Sequence, residues 1–308
     1  MRLTQLILLL SSLIWFNACY SPHPTASVHN RCDSLTTVIQ DLRQRLDEAS
    51  NLQEYSQVVL PSTELRNITS TNNGEDYHLK IWLPRGYQDT RDSYPVLYVT
   101  DAETNFGGTT YIVQRLIKDQ LIPPMIVVGI AYGTDYKTFY ELRSRDLTPV
   151  EDPDLAMGGK VDPTGGAPQF SRFIQEALFS FINENYRTLP NDRTYYGHSY
   201  GGLFGSYLLT HRAEIFNRYL ILSPSLWYND RWMLDQLNDG LTFRQETRVY
   251  FGSGSEEGSI DDLQEVFVTK IRDQNPTNLL IKDEILANET HRTIFGPAFT
   301  NGMRYLFE

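Results

Sequence analysis

Cysteine, histidine and positive charge are scarce in this chain. Two cysteines, Cys19 and Cys32, stand in 308 residues, so at most one disulfide can form and no disulfide framework holds the fold. Lys and Arg number 27 against 38 Asp and Glu, a formal net charge of −11, which argues against nucleic acid as a partner and against a polybasic membrane patch. No cofactor or metal is implied, because the 6 histidines, the 2 cysteines and the carboxylates form no set with metal-ligand spacing. Long apolar runs are missing too, apart from Leu6 to Phe16, which is short for a bilayer span. What remains, 41% hydrophobic and 21% charged, is an ordinary globular composition at a length that buries a sizeable core.

The apolar run follows Arg2 and has the layout of a secretory signal over residues 1–18. Phe16-Asn17-Ala18-Cys19 resembles the bacterial lipoprotein pattern of an apolar residue, two more residues and a cysteine, which makes Cys19 a lipidated N-terminus. The alternative is that Cys19 pairs with Cys32 in an oxidising compartment. Both readings export the protein, and the first restricts membrane association to an N-terminal lipid anchor facing the periplasm or the cell surface. Residues 19–32, rich in Pro, Ser and His, read as a tether. Residues 33–54 carry Leu35, Val38, Ile39, Leu42, Leu46 and Ala49 at helical spacing behind an Asp33-Ser34 N-cap. That amphipathic helix packs on the main domain or on a copy of itself.

From residue 55 to 308 strands alternate with helices. Val96 to Val99 and Met125 to Ile130 are continuous apolar runs, as in strands covered on both faces, and Tyr77 to Leu83 alternates. Phe170, Phe173, Ile174, Ala177, Leu178, Phe181 and Ile182 mark a helix over 169–186. Further strands are expected at 193–196, 219–222, 248–251 and 279–286. The alternation predicts an α/β fold, a mostly parallel sheet with helices on both faces. An aperiodic acidic stretch, VEDPDLAMGGKVDPTGG, lies between residues 148 and 167; it is either a functional loop or a disordered insertion.

Gly197-His198-Ser199-Tyr200-Gly201 is a short pattern that gains meaning from its setting. Thr194 to Tyr196 reads as a strand and Leu203 to Leu209 as a helix, so Ser199 sits on a strand-to-helix turn that would expose its Oγ at the carboxyl end of the sheet. The Tyr200 amide, opening the helix, can donate to an oxyanion. A serine nucleophile needs a base. Of the 6 histidines only His211 and His291 follow the serine in the chain. His211 lies along the same helix and points away, whereas His291 follows the last apolar strand, where sites of open α/β sheets collect. The acid is sought after the strand 248–251, where Glu256, Glu257, Asp261 and Asp262 compete.

GHSYGGLF, with GGAPQFSRFIQEALFSFINENYRT before it and LSPSLWY after it, resembles the esterase family of the α/β-hydrolase superfamily, and most of all its siderophore trilactone esterases. Feruloyl and acetyl-xylan esterases, S-formylglutathione hydrolases and mycolyltransferases belong to the same group. The likeness extends to YPVLYVTDAE, RSRDLTP and HRTIFGPAFTNGMRYLF, and so covers about residues 60–308. It implies an α/β-hydrolase fold, Ser199 as nucleophile and His291 as base. Its acid stands three places after a strand-closing glycine, which implies Glu257, with Glu256 in reserve, although some trilactone esterases work with a serine-histidine pair alone. The second oxyanion amide falls on Glu103, where Ala102 replaces the family's usual glycine. Arg145 braces its loop by pairing with Asp146 or another acid, or else Arg143 or Arg145 reaches an anionic substrate such as an iron-siderophore. Trp227 is core packing or an aromatic wall for substrate. The expectation is an exported serine carboxylic-ester hydrolase acting on a small-molecule ester, a siderophore trilactone foremost; a feruloyl or acetyl carbohydrate ester and a non-catalytic surface binding protein are the alternatives.

Overall fold

The computed structural model describes residues 37–42, 44, 59–154, 156–157, 160–161, 163–237 and 240–308. The expected signal, Cys19, Cys32, the tether and most of the 33–54 helix lie outside these; residues 37–42 and 44 are helical. The chain divides into two compact units, Met1–Val59 and Leu60–Glu308, and the second holds the α/β fold.

That unit is built on an eight-stranded sheet in the order β1-β2-β4-β3-β7-β8-β9-β10. The edge hairpin is β1 (Thr63–Thr69) with β2 (Asp76–Trp82), and β2 also runs antiparallel to β4 (Ile126–Ala131). The rest is parallel: β3 (Tyr94–Val99), β7 (Thr188–His198), β8 (Arg218–Leu222), β9 (Thr247–Gly254) and β10 (Leu279–Leu286). A separate two-stranded hairpin pairs β5 (Ala156–Met157) with β6 (Lys160–Val161) inside the acidic stretch.

Alternation along the central strands sends neighbouring side chains to opposite faces. Tyr195, Tyr219, Ile221, Val249 and Phe251 enter one core, and Tyr196, Leu220, Leu222 and Tyr250 enter the other. The second core is closed by α1 (Ala102–Lys118) and α7 (Phe295–Leu306), through Phe106, Val113, Phe299 and Met303. The first is closed by the helix over 167–185 (α3), α4 (Tyr200–His211) and α6 (Ser259–Asp273), and α2 (Tyr136–Leu147) and α5 (Tyr228–Asp235) add Phe139, Leu147, Met233 and Leu234 to it. The α3 helix is not the uniform α-helix its spacing suggested: Ile174–Leu178 form a π-helical turn between two α segments. Strand β7 begins at Thr188 rather than Arg193, and its pairing with β3 shifts register between Tyr94 and Val96.

Candidate active site

Parallel strands point their carboxyl ends one way, so the turns after β3, β7, β8, β9 and β10 gather on one edge of the sheet. Ser199 stands between β7 and α4 with φ 61° and ψ −118°, a strained conformation for a residue with a Cβ. The surroundings over-determine it. Its N–H donates to the Leu222 carbonyl at 3.0 Å, and its carbonyl accepts from Leu203 N–H at 2.9 Å and Ser225 N–H at 3.2 Å. Close approach explains the flanking glycines: a Cβ on Gly202 would lie 2.7 Å from the Leu222 carbonyl oxygen, and one on Gly197 would strike the Gly201 carbonyl. The hydroxyl of Ser199 has that of Ser225 at 3.5 Å.

His291, in the loop after β10, has its Nδ1 2.8 Å from Glu257 Oε2. The Glu257 side chain is fully buried. Its other oxygen accepts from the Ser223 hydroxyl at 2.8 Å and from the Gly254 amide at 2.5 Å. Burial pushes this carboxyl up, but the bonds from His291, Gly254 and Ser223 outweigh it and hold the acid below the usual carboxylate range. Glu257 stands three places beyond the glycine that closes β9, and the turn between them returns its carboxylate onto that glycine's N–H. The side chain of Glu256 belongs to an exposed residue, and the bond given for Glu256 is from its own amide to the Glu289 carbonyl, 3.0 Å away.

Ser199 and His291 line one cavity of about 460 Å³ together with Tyr200, Trp227, Arg143 and, among others, Arg292. Trp227 is 41% exposed, with its ring 6.1 Å from that of Tyr200, so it forms wall rather than core. His198 lies against His291 with ring centroids 4.5 Å apart. Burial, and then the charge on His291, push the His198 imidazole down to about 4. It is therefore neutral at physiological pH.

The two arginines of α2 part company. Arg143 grips Asp101 with two bonds, Nε to Oδ1 at 2.8 Å and Nη2 to Oδ2 at 2.7 Å, and its guanidinium lies 5.1 Å from the Tyr200 ring centre. Asp101 adopts φ 53° and ψ 43° and opens α1. Arg145 instead binds Asp146 at 2.7 Å and Glu75 at 2.6 Å, and it is not among the residues lining the cavity. Asp146 also accepts from the Tyr77 hydroxyl at 2.6 Å, which ties α2 to β2. Glu103 lies in the first turn of α1, where a helix start leaves amides without intrahelical partners. Its carboxylate turns away to the Tyr132 and Gly133 amides.

Sequence reasoning passed over Asp101, Arg292, Ser223, Asn105, Phe139 and Tyr140 as site residues. Arg292 had a signal, since it adjoins the proposed base. Ser223 had little, because its partner Glu257 arrives from another strand.

Residues 70–293 match a family described as "Putative esterase". The ferri-bacillibactin esterase BesA of Bacillus subtilis (strain 168) is 32% identical over 200 residues, 63% of this chain and 68% of that protein. The siderophore enterobactin esterase of Emericella nidulans is 27% identical over 273 residues, 75% of this chain and 89% of its own length. Among solved structures, an IroE-like serine hydrolase from Shewanella oneidensis matches with a TM-score of 0.71 at 26% identity, over 80% of each chain.

Proposed function

Because this chain belongs to the esterase family, in its siderophore esterase-like branch, we propose that its carboxylic-ester hydrolysis runs through an acyl-enzyme on Ser199. The observation that carries the proposal is the strained Ser199 in one cavity with a His291 whose Nδ1 is held by the buried Glu257.

The Ser199 hydroxyl leaves Ser225, gives its proton to His291 Nε2 and attacks the ester carbonyl. Glu257 keeps the other nitrogen protonated and steadies the imidazolium. The Tyr200 amide and one at the start of α1, at Glu103, receive the oxyanion, each worth about 2.7–4 kcal/mol in comparable sites. His291 returns the proton to the leaving alcohol, and water, activated the same way, frees the acid. A siderophore ester is the substrate supported best, since BesA and the Emericella enzyme are named for such substrates. Phe139, Tyr140, Tyr200 and Trp227 supply an aromatic lining for it. The reading includes export with Cys19 lipidated; fatty-acid labelling that survives Cys19→Ser would remove that part.

The test is hydrolysis of an enterobactin-type trilactone, with and without iron, followed by mass spectrometry beside p-nitrophenyl butyrate. Ser199→Ala is expected to abolish both activities and to lose covalent labelling by a fluorophosphonate. Hydrolysis of the butyrate with an intact trilactone redirects the search to feruloyl and acetyl esters. Labelling or turnover that persists in Ser199→Ala overturns the mechanism.

A further inference from the structure

The ionic groups in and directly behind the cavity wall fall into three states. Arg143 and Asp101 neutralise each other, with side chains only 11% and 5% exposed. The charge of Glu257 is enclosed, both its oxygens occupied by His291, Ser223 and the Gly254 amide. Arg292 alone among the described lining residues is an exposed cation with no hydrogen-bond or ion-pair partner among the described residues. It follows the base His291 directly in the chain, in a protein whose formal net charge is −11. A solitary cation on such a background draws anions to one place and discriminates among them by charge.

We propose that Arg292 is the specificity-determining residue of this site, pairing with a carboxylate or catecholate on the ester substrate and selecting anionic esters over neutral ones. This assigns substrate recognition to a residue outside the helix that carries Arg143 and Arg145. The charge of Arg143 is neutralised by Asp101 and that of Arg145 by Asp146 and Glu75, so neither presents an uncompensated positive charge to the cavity. The inference rests on the esterase reading above, and its test separates the two.

The experiment compares p-nitrophenyl butyrate with mono-p-nitrophenyl glutarate, whose acyl chain ends in a carboxylate. The quantity read is the ratio of kcat/KM for the anionic ester to that for the neutral one. Arg292→Gln is expected to lower this ratio about tenfold, the scale of one charge-assisted bond. Arg292→Lys should restore most of it, and Arg292→Glu should lower it further. Raising ionic strength from 0.05 to 0.5 M should depress the wild-type ratio and leave that of Arg292→Gln flat. In parallel, calorimetric titration of glutarate ester into Ser199→Ala, with and without Arg292→Gln, reads recognition without turnover. A ratio and an affinity both within twofold of their Arg292 counterparts overturn this proposal while leaving the esterase intact. Absent turnover on both esters, with a tenfold loss of affinity still caused by Arg292→Gln, overturns the mechanism and keeps the recognition.

Discussion

On the β9–β10 side of Ser199 a buried carboxylate, Glu257, meets an imidazole and two neutral donors, whereas on the β3 side the carboxylate of Asp101 meets a guanidinium. Both acids are withdrawn from water, but their partners differ in kind. A guanidinium keeps its charge at any working pH, so the Asp101–Arg143 pair can only hold things still. An imidazole gains and loses its charge, so in the mechanism proposed above the same degree of burial around Glu257 steers a proton. The difference predicts that damage on one side appears in rate and on the other in stability.

The largest effect is expected from Glu257→Gln. The amide would favour the wrong tautomer of His291, and kcat for p-nitrophenyl butyrate should fall about 10⁴-fold with KM little changed. A fall of less than tenfold would place this protein with esterases that need only the serine and histidine. Next comes Arg143→Gln, which strands the Asp101 charge and should cost about 3–5 kcal/mol in urea unfolding. Adding Asp101→Asn should recover most of that loss; no recovery would mean the pair is not the source. Smaller again is the pH response of His198. Its folded value of about 4 lies below the ordinary 6.5, so the unfolded chain binds the extra proton first. Stability should therefore be full above pH 6.5, decline between 6.5 and 4, and lose at most about 3 kcal/mol from this group. His198→Gln should flatten that decline in thermal melts across the interval. Glu257, held below the carboxylate range, adds a separate loss at lower pH as its proton returns. Least of all, Glu256→Gln should change kcat/KM less than twofold and stability by under about 0.5 kcal/mol, as for a surface residue.

The alternating core, the parallel sheet and the strand-to-helix setting of Ser199 were legible because each is written locally, in spacing and in glycines. Helix α1 was not, since Gly107 and Gly108 sit within it and glycine opposes helix. The structure supplies one reason for the second: a Cβ there would lie 2.6 Å from the Phe295 ring, so α1 and α7 approach at the expense of propensity. Which arginine faces the cavity was partly legible. Two residues apart on a helix means about 200° of turn, which sends Arg143 and Arg145 to opposite sides. Choosing between them needed Asp101 and Glu75, each from a distant part of the chain. The hold of Ser223 on Glu257 is likewise a contact between neighbouring strand ends. Such pairings follow from topology rather than from any short window of residues.

Behind Trp227, the Tyr228 hydroxyl reaches the Val150 carbonyl at 2.8 Å and Asn229 reaches the Glu151 carbonyl at 3.0 Å. Both tethers grip main chain, and the Val150 side chain, packed against the core, helps to hold that main chain in place. The aromatic wall is thus footed on the backbone course of the acidic stretch, so that shortening the stretch, more than recolouring its charges, would move the wall.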